Sequence, residues 1–316
     1  PSTDLPTKIT AAVGLPEQQV TTFTKSVLGH TLALTRSGLR DGAPVSVTRS
    51  YVYDPQLRLC LRVEPETAGT VMAYDAAGNL SWQAGGITPA QPPPGETWTP
   101  EQLCANSRTA AYGSGRRVDR TYDARHRLLT LSVPGNNGNQ SWTYTADGLP
   151  ETITTLNDGG ATSVVNAYTY NRRRLMTGES MTLPGWVTWS AGYGYDTLGH
   201  LASQTYPSGL SVAYAPNALG QATQAGPYAT GVQYHPHGGI KQFTYGNGIV
   251  HTMALNARML PVSSIDSGGV LHQLHEYDEN GNVVATHDLN DTTRSRTMEY
   301  DGLDRLVEAQ SAIFGG

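Results

Sequence analysis

The chain has 316 residues, among them 35 glycines, 19 prolines and 17 tyrosines but only 3 phenylalanines. A hydrophobic fraction of 38% is low for one compact core in a chain of this length, which favours a curved single sheet. The net charge of −5, with 15% charged residues, excludes the basic surface that nucleic-acid binding needs. No apolar run approaches the length of a membrane-spanning helix.

The first fifty residues precede the regular part of the chain. Residues 1–20 match the later repeat poorly, and we expect a leading strand or an extended arm there. Residues 21–50 have the alternation of one more hairpin, without the start that later hairpins share. The repeated region is therefore assigned to residues 21–316.

From residue 53 onward one phrase recurs, in which a tyrosine is followed by an aspartate in most copies and by a glycine in several. The copies begin at Tyr53, Tyr74, Tyr122, Tyr144, Tyr170, Tyr195, Tyr214, Tyr234, Tyr277 and Tyr300. Leu255 holds the tyrosine position of one further copy, LNARMLP, and keeps the spacing. Most successive copies lie about twenty residues apart, and a fixed period of this length is the mark of a repeat architecture.

Each repeat contains two short runs in which apolar and polar residues alternate, as in LASQTYPSGLSVAY. Threonine, valine and tyrosine dominate these runs, and turn residues separate them, which predicts one β-hairpin per repeat. No stretch has the period and the caps of a long helix. Because isolated hairpins are marginal in water, we expect successive hairpins to pair edge to edge in one long, twisted antiparallel sheet.

The residues that define the repeat are interpreted as structural. A tyrosine at a strand end presents its ring to the next hairpin, an aspartate after it accepts backbone N–H groups, and glycine supplies positive φ. The Asn280-Gly281 pair predicts a type I′ turn, in which both residues have positive φ. Besides the tyrosines, the set comprises Asp54, Asp75, Gly78, Asp123, Asp196, Gly199, Asp278, Gly281 and Asp301. Repetition in ten copies argues against a catalytic role.

The interval from Tyr74 to Tyr122 is about twice the period. We interpret it as two periods in which a proline-rich loop, at about 85–115, replaces one phrase. The stretch QPPPGETW should be extended and rigid, with Trp98 exposed or laid on the sheet. This loop either recognises a partner or covers a sheet edge against further pairing.

The two cysteines, Cys60 and Cys104, lie on either side of the proline-rich stretch. A disulfide between them would fasten the insertion to the preceding repeat and would indicate an exported protein. The alternative is a pair of unrelated buried thiols. The chain opens at Pro1 without a signal peptide, and we interpret it as an internal piece of a longer polypeptide.

Candidate residues for chemistry are few. His235 and His237 lie on one face of an extended segment, but Pro236 separates them and no carboxylate or cysteine recurs at ligand spacing. We interpret them as ordinary turn histidines. The YGSGRRVD stretch lacks the third glycine of a dinucleotide fingerprint, and no esterase, zinc-protease or paired-cysteine motif is present. The prediction is therefore a non-enzymatic protein without catalytic residues, cofactor or metal.

The YDxxGxL phrase, with the second-strand stretches YPSGLSVAY and YGNGIVHTM, resembles the YD-repeat or Rhs-repeat family over about residues 20–312. That family includes bacterial Rhs polymorphic toxins, the B and C components of Tc toxins and the animal teneurins. The resemblance implies a spiralling sheet that closes, over many repeats, into a hollow shell around a C-terminal toxic or variable segment. The closing region and self-cleavage site of complete shells have no counterpart here, so we expect an open fragment.

Two functions from different classes are compatible with these patterns, and both place the protein outside the cell or at its surface. The first is a structural scaffold, part of a secreted shell that encapsulates and delivers a toxin or effector and has that cargo and the rest of the shell as partners. The second is a module that binds a glycan or a cell-surface protein through the repeat faces or the proline-rich loop. Packed tyrosine rings would favour the scaffold, and exposed rings would favour binding. Open sheet edges also predict edge-to-edge self-association.

Overall fold

The computed structural model describes residues 6–14, 18–40 and 42–313. The strands are β1 (Lys8–Ala11), β2 (Gln19–Lys25), β3 (Thr31–Arg40), β4 (Ala43–Tyr53), β5 (Leu59–Glu64), β6 (Ala68–Tyr74), β7 (Leu80–Ile87), β8 (Arg117–Tyr122), β9 (Leu128–Ser132), β10 (Gln140–Tyr144), β11 (Pro150–Asn157), β12 (Thr162–Tyr170), β13 (Met176–Leu183), β14 (Val187–Tyr195), β15 (Leu201–Thr205), β16 (Ser211–Ala213), β17 (Ala229–Tyr234), β18 (Ile240–Tyr245), β19 (Val250–Leu255), β20 (Pro261–Asp266), β21 (Leu271–Tyr277), β22 (Val283–Asp288), β23 (Arg296–Tyr300) and β24 (Leu306–Ser311). One helix, α1, spans Pro100–Tyr112, and short 3-10 turns span Pro134–Asn136, Asp158–Gly160 and Thr292–Arg294.

The strands pair in chain order. β1–β16 form one sheet and β17–β24 form a second. Neighbouring strands run antiparallel, as in the pairing of β11 with β12 and of β21 with β22. This confirms the predicted fold class, an almost entirely β chain of tandem antiparallel hairpins.

The ladder is divided into two sheets where a single sheet was expected. The division falls between β16 and β17, in a segment whose pairing consists of two isolated bridges. Pro216 and Pro227 have no N–H group to give to a ladder, and Gly226 has a φ of 52°. Such residues interrupt strand pairing, so the hydrogen-bonded ladder stops there and resumes at β17.

The described part of the N-terminal segment contains a short strand. Lys8–Ala11 forms β1 and hydrogen-bonds to β2, at the edge of the first sheet. Residues 1–5 and 15–17 lie outside the described residues. Residues 21–50 contain most of β2, all of β3 and most of β4.

By their contacts the residues group into two compact units. One comprises Pro1–Ile9, Thr21–Arg36 and Ser46–Ser190, and the other comprises Thr10–Val20, Ser37–Val45 and Ala191–Gly316. Within the second unit the β3–β4 hairpin contacts the last turn, where the Gly302 N–H donates to the Leu39 carbonyl at 2.6 Å. A Cβ at Gly302 would overlap the Leu39 backbone, so this close approach requires glycine.

The proline-rich insertion contains a helix that the sequence analysis did not predict. Thr99 Oγ1 accepts a hydrogen bond from the Gln102 N–H, and Gln102 Oε1 accepts one from the Thr99 N–H. This reciprocal capping box, with Pro100 at the first helical turn, starts α1. The letters TPEQ carried that signal. Periodicity missed the helix because its buried side is narrow and consists of small residues such as Cys104 and Ala111.

The interval from Tyr74 to Tyr122 is one repeat, and its interpretation as two periods was wrong. β7 pairs directly with β8. Two strands therefore separate these tyrosines, as two strands separate Tyr122 from Tyr144. Residues 88–116 form a long connection within a single hairpin.

A cluster of buried residues lies where α1 covers the sheet, and we call it the helix-covered patch. It consists of Cys60, Leu61, Val71, Ala84, Ile87, Cys104 and Ala111. Cys60 and Cys104 form a disulfide, with their Cα atoms 5.7 Å apart. Arg108 of α1 donates to the Met72 carbonyl at 2.8 Å and lies 3.3 Å from Asp54 Oδ2. The helix thus gives this part of the sheet a second layer.

Candidate functional site

The recurring feature of the chain is a five-residue turn that follows each tyrosine position, and we call it the tyrosine turn. The N–H of its first residue donates to the carbonyl of the fifth, and the N–H of its fourth residue donates to the carbonyl of the first. These turns begin at Ser26, Asp54, Asp75, Asp123, Thr145, Asn171, Asp196, Asn217, His235, Asn256, Asp278 and Asp301. The same two hydrogen bonds occur in the turns that begin at Tyr206 and Tyr245, which lie at the opposite strand ends and are not tyrosine turns. The recurring phrase therefore corresponds to one recurring backbone structure.

The side chain of the first residue bonds back to the turn. Asp278 Oδ1 accepts the N–H groups of Asn280 at 3.0 Å and of Asn282 at 2.8 Å. Asn171 makes the same two bonds through its side-chain oxygen, and Thr145 makes one of them. A short side chain with an oxygen acceptor is needed for this geometry, which explains the prevalence of Asp and Asn at the position.

The fourth residue of the tyrosine turn has positive φ. Gly78, Gly199 and Gly281 adopt φ values of 87°, 93° and 93°. In five other turns a residue with a side chain adopts the same conformation, with φ from 59° to 65°: Leu57, His126, Arg174, Met259 and Asp304. These five turns store local strain that the glycine turns avoid.

The turn type differs from the type I′ prediction for Asn280-Gly281. Of these two residues only Gly281 has positive φ. The register also shifts between Glu276 and Tyr277, immediately before the turn. This corresponds to a hairpin with a three-residue loop, in which one left-handed residue lies at a β-bulge. Such a loop needs positive φ at one residue, whereas a type I′ turn needs it at two.

The tyrosine before the turn joins its repeat to the preceding one. Its hydroxyl donates to the backbone carbonyl of the residue that follows the preceding tyrosine turn, and we call this contact the tyrosine joint. The joints are Tyr53 to Thr31 (3.1 Å), Tyr74 to Leu59 (2.8 Å), Tyr122 to Leu80 (3.0 Å), Tyr144 to Leu128 (2.6 Å), Tyr170 to Pro150 (2.9 Å), Tyr234 to Ala222 (2.7 Å), Tyr277 to Pro261 (2.7 Å) and Tyr300 to Val283 (3.1 Å). All eight tyrosines are half-buried.

Of the two remaining tyrosines, Tyr195 has the same place relative to its turn as these eight, and Tyr214 does not. Tyr195 ends β14 opposite Leu201, in the usual position before a turn. Tyr214 does not, because the next tyrosine turn begins at Asn217 and Pro216 holds its tyrosine position. The Tyr214 hydroxyl donates instead to Gln204 Oε1 at 3.0 Å. The phrase assigned to Tyr214 therefore begins two residues before Pro216, which holds the tyrosine position in the structure.

Charged groups strengthen several turns. Arg127 Nη2 lies 2.7 Å from Asp123 Oδ2, and its guanidinium lies over the Tyr144 ring at 4.3 Å. Hydrogen bonds from the Arg127 backbone and side chain lower the pKa of Asp123. Burial acts to raise the pKa of Asp54, but hydrogen bonds from Arg58 and Arg108 together outweigh burial and lower that pKa. Burial raises the pKa of Tyr144 and so favours the neutral hydroxyl that donates in the joint.

The histidines of the YHPHGG stretch belong to a tyrosine turn. His235 is its first residue, and its Nε2 lies 3.1 Å from the Met253 carbonyl oxygen. The His237 ring packs edge-on against the His235 ring, with the two ring centroids 5.6 Å apart. His251 instead contacts Asp266 at 2.7 Å. In residues 6–14, 18–40 and 42–313 no group of three His, Cys, Asp or Glu side chains is arranged as metal ligands, and no helix there is long and apolar enough to cross a membrane.

Comparisons with known proteins give a structural likeness without a sequence match. No protein-family model and no curated protein matches the chain. The crystal structure of TcdB2-TccC3-Cdc42 matches with a TM-score of 0.57 and 12% identity, over 94% of this chain and 20% of that chain. The structure of TcdB2-TccC3 matches with a TM-score of 0.56 and 12% identity, over 94% and 20%.

A further structure, TcdB2-TccC3 without the hypervariable C-terminal region, matches with a TM-score of 0.56 and 12% identity, over 93% of this chain and 19% of that chain. The chain thus spans about a fifth of the length of these neighbours. At this identity the likeness concerns the fold. We conclude that this chain has the fold of a section of the TcdB2-TccC3 chains.

Proposed function

We propose that the chain is a non-catalytic structural scaffold, a section of an exported YD-repeat shell that encloses a C-terminal toxin or effector segment and delivers it. The observation that carries this proposal is the series of tyrosine joints. Each joint fastens one repeat to the backbone of the preceding repeat, in addition to the sheet ladder. A wall that grows by repetition needs such nearest-neighbour fastening.

The structural neighbours and the disulfide support the proposal. The neighbours are TcdB2-TccC3 chains, one of them without a hypervariable C-terminal region. Because this chain covers about a fifth of such a chain, its partners under the proposal are the other repeats of its own shell and the segment they enclose. The Cys60–Cys104 disulfide favours export, since cytosolic thiols are kept reduced.

An adhesive function of the repeated tyrosines has less support. A ligand that stacks on aromatic rings needs them exposed. The tyrosines of the joints are half-buried, and their hydroxyl groups are occupied by backbone carbonyls. A glycan or a protein would therefore have to compete with the contacts that join the repeats.

Association at a sheet edge is part of the proposal. In the described part of the chain β24 pairs with β23 alone, and its residues Leu306 and Val307 are 55% and 49% exposed. An edge strand with exposed apolar residues pairs readily with another strand. We assign that place to another segment of the shell or to a second copy.

The test is protease protection in the full parent polypeptide. We expect the segment that follows the repeats to resist trypsin in the wild type. The double variant Tyr144→Ala/Tyr170→Ala opens two adjacent joints and should make that segment sensitive. Ser141→Ala, at an exposed position of the same strand as Tyr144, is the matched control and should leave protection unchanged. Equal digestion of the segment in all three proteins would show that the repeats do not enclose it.

A further inference from the structure

A cavity lies between two neighbouring hairpin tips, away from the tyrosine turns. One tip is the Asp158–Gly160 turn between β11 and β12, and the other joins β13 to β14 through Pro184 and Trp186. Alternate connections of an antiparallel meander emerge at opposite strand ends, so both tips lie at the end remote from the tyrosine turns. The cavity measures about 350 Å³, and ligand pockets occupy roughly 300–1,000 Å³.

The lining of this cavity is divided into an apolar and a polar part. The apolar part comprises Val164, Leu183, Pro184 and Trp186, and the polar part comprises Asn157, Asp158, Thr162 and Ser163. A purely apolar ligand would leave the polar groups without partners, which is unfavourable. The lining therefore fits a ligand that is itself amphipathic.

Trp186 is presented on a defined turn. The backbone N–H of Trp186 donates to the Leu183 carbonyl at 3.0 Å, and Gly185 between them has a φ of 79°. The residue is 88% exposed, although burial of an indole ring is strongly favourable. An exposed tryptophan at the mouth of a cavity is typical of a binding site.

The polar groups opposite are held in place. Asp158 Oδ2 accepts the hydroxyl of Thr162 at 2.7 Å, and the Asp158 N–H donates to Asn137 Oδ1 at 3.0 Å. A carboxylate has about four acceptor positions, so further hydroxyl groups can bond to it. Asn157 adds an amide that both donates and accepts.

We propose that this cavity binds a neutral saccharide, with one pyranose ring against Trp186 and its hydroxyl groups bonded to Asp158 and Asn157. A pyranose has an apolar face of C–H groups and a rim of hydroxyl groups, which matches an aromatic ring beside short polar side chains. The Asp158 carboxylate disfavours acidic sugars, because like charges repel. The inference is independent of the scaffold function, since no tyrosine joint contributes to the cavity.

The experiment measures binding of three neutral tetrasaccharides to this chain by calorimetry and by tryptophan fluorescence. The probes are cellotetraose, fully N-acetylated chitotetraose and β-1,4-galactotetraose, which differ in their hydroxyl and acetamido groups. We expect at least one to bind with a millimolar or lower Kd and to shift the emission of Trp186. Trp186→Ala should weaken that binding about tenfold or more, because stacking on the ring is lost.

Trp189→Ala is the matched control, because Trp189 lies on the same hairpin, is 42% exposed and does not line the cavity. It should leave saccharide binding unchanged, and both variants should unfold at the wild-type temperature. The proposal would be overturned if none of the probes bound at millimolar concentration. An equal loss of saccharide affinity in Trp186→Ala and Trp189→Ala would also overturn it. Binding of neutral phosphatidylcholine vesicles through Trp186, without saccharide binding, would also overturn it and would identify the tip as a membrane contact.

Discussion

The helix-covered patch and the plain repeats of β9–β13 are stabilised by different means. In the patch Cys60, Leu61 and Val71 are 0%, 1% and 0% exposed. In β9–β13 every residue is at least partly exposed. The patch has a conventional core, whereas the plain repeats depend on the sheet ladder, the tyrosine turns and the tyrosine joints. The comparison shows that hairpin repetition can extend a sheet without extending a core.

The largest expected effect is on the patch, from loss of the disulfide. The double variant Cys60→Ala/Cys104→Ala frees a loop with a sequence separation of 44 residues. The chain-entropy model gives a loss of about 4 kcal/mol in the free energy of unfolding. Because repeats contact only their neighbours, amide hydrogen exchange should accelerate in β5–β7 and remain unchanged in β19–β22. Uniform acceleration in both regions would contradict nearest-neighbour stabilisation, and two free thiols in the unreduced wild type would contradict the disulfide.

The next effect compares one leucine from each region. Leu61→Ala in the patch creates a cavity in a packed site and should cost about 3 kcal/mol. Leu131→Ala, in the half-buried strand β9, should cost about 1 kcal/mol because it removes less buried area. Urea unfolding of both variants measures the difference. Equal losses would mean that the plain repeats have a core of their own.

The sequence predicted the hairpin repeats outside the patch better than the patch, because their signals are local. The turn of Asp278, Asn280 and Gly281 is specified within a few residues, and so is the strand that ends at Tyr277. The spacing of such turns was enough to predict tandem antiparallel hairpins. The same locality explains the error at Tyr214. The phrase was placed by its tyrosine, although no tyrosine turn follows that residue directly, and the NxxG spacing that starts at Asn217 marks the actual turn.

What the sequence did not predict depends on contacts between distant residues. The helix could have been recognised from its capping box at Thr99, but its packing on the sheet depends on which strands it covers. The cavity beside Trp186 needs Asp158 from another hairpin, and only the strand register brings the two tips together. Neither residue forms a motif on its own, so sequence reasoning passed over both.

The third prediction concerns positive φ at the fourth residue of the tyrosine turns. Gly78→Ala should lower the free energy of unfolding by about 1–2 kcal/mol, because a left-handed conformation disfavours a side chain. Open space around Gly78 excludes a clash as the cause. Met259→Gly is the reverse change and should raise stability by about 0.5 kcal/mol, since relief of strain exceeds the added chain entropy. Thermal unfolding in which both variants shift in the same direction would contradict the turn assignment.

The fourth prediction opens one tyrosine joint without removing the ring. Tyr144→Phe loses the bond of 2.6 Å to the Leu128 carbonyl and should cost about 1 kcal/mol. Tyr228→Phe is the control, because Tyr228 is 53% exposed and makes no joint. Hydrogen exchange of the variant should quicken in β9 and β10, next to the opened joint. A cost no greater than that of the control would mean that the ring, not the hydroxyl, joins the repeats.

The smallest effect is a pH dependence shared by both regions. The folded-state pKa of Asp123 is lowered by hydrogen bonds from Arg127. Burial acts to raise the pKa of Asp54, but hydrogen bonds from Arg58 and Arg108 outweigh burial and lower it. A carboxyl whose pKa is lower in the folded state stabilises the fold above its unfolded pKa, about 4, and this contribution disappears as the pH falls through the folded value. The unfolding temperature should therefore decrease as the pH is lowered below about 4.

Asp123→Asn keeps an oxygen acceptor, as Asn171 does in its own turn, but does not titrate. This variant should be less stable than the wild type at neutral pH, and its unfolding temperature should decrease less on acidification. An acid-induced loss as large as that of the wild type would show that Asp123 has no part in the pH dependence.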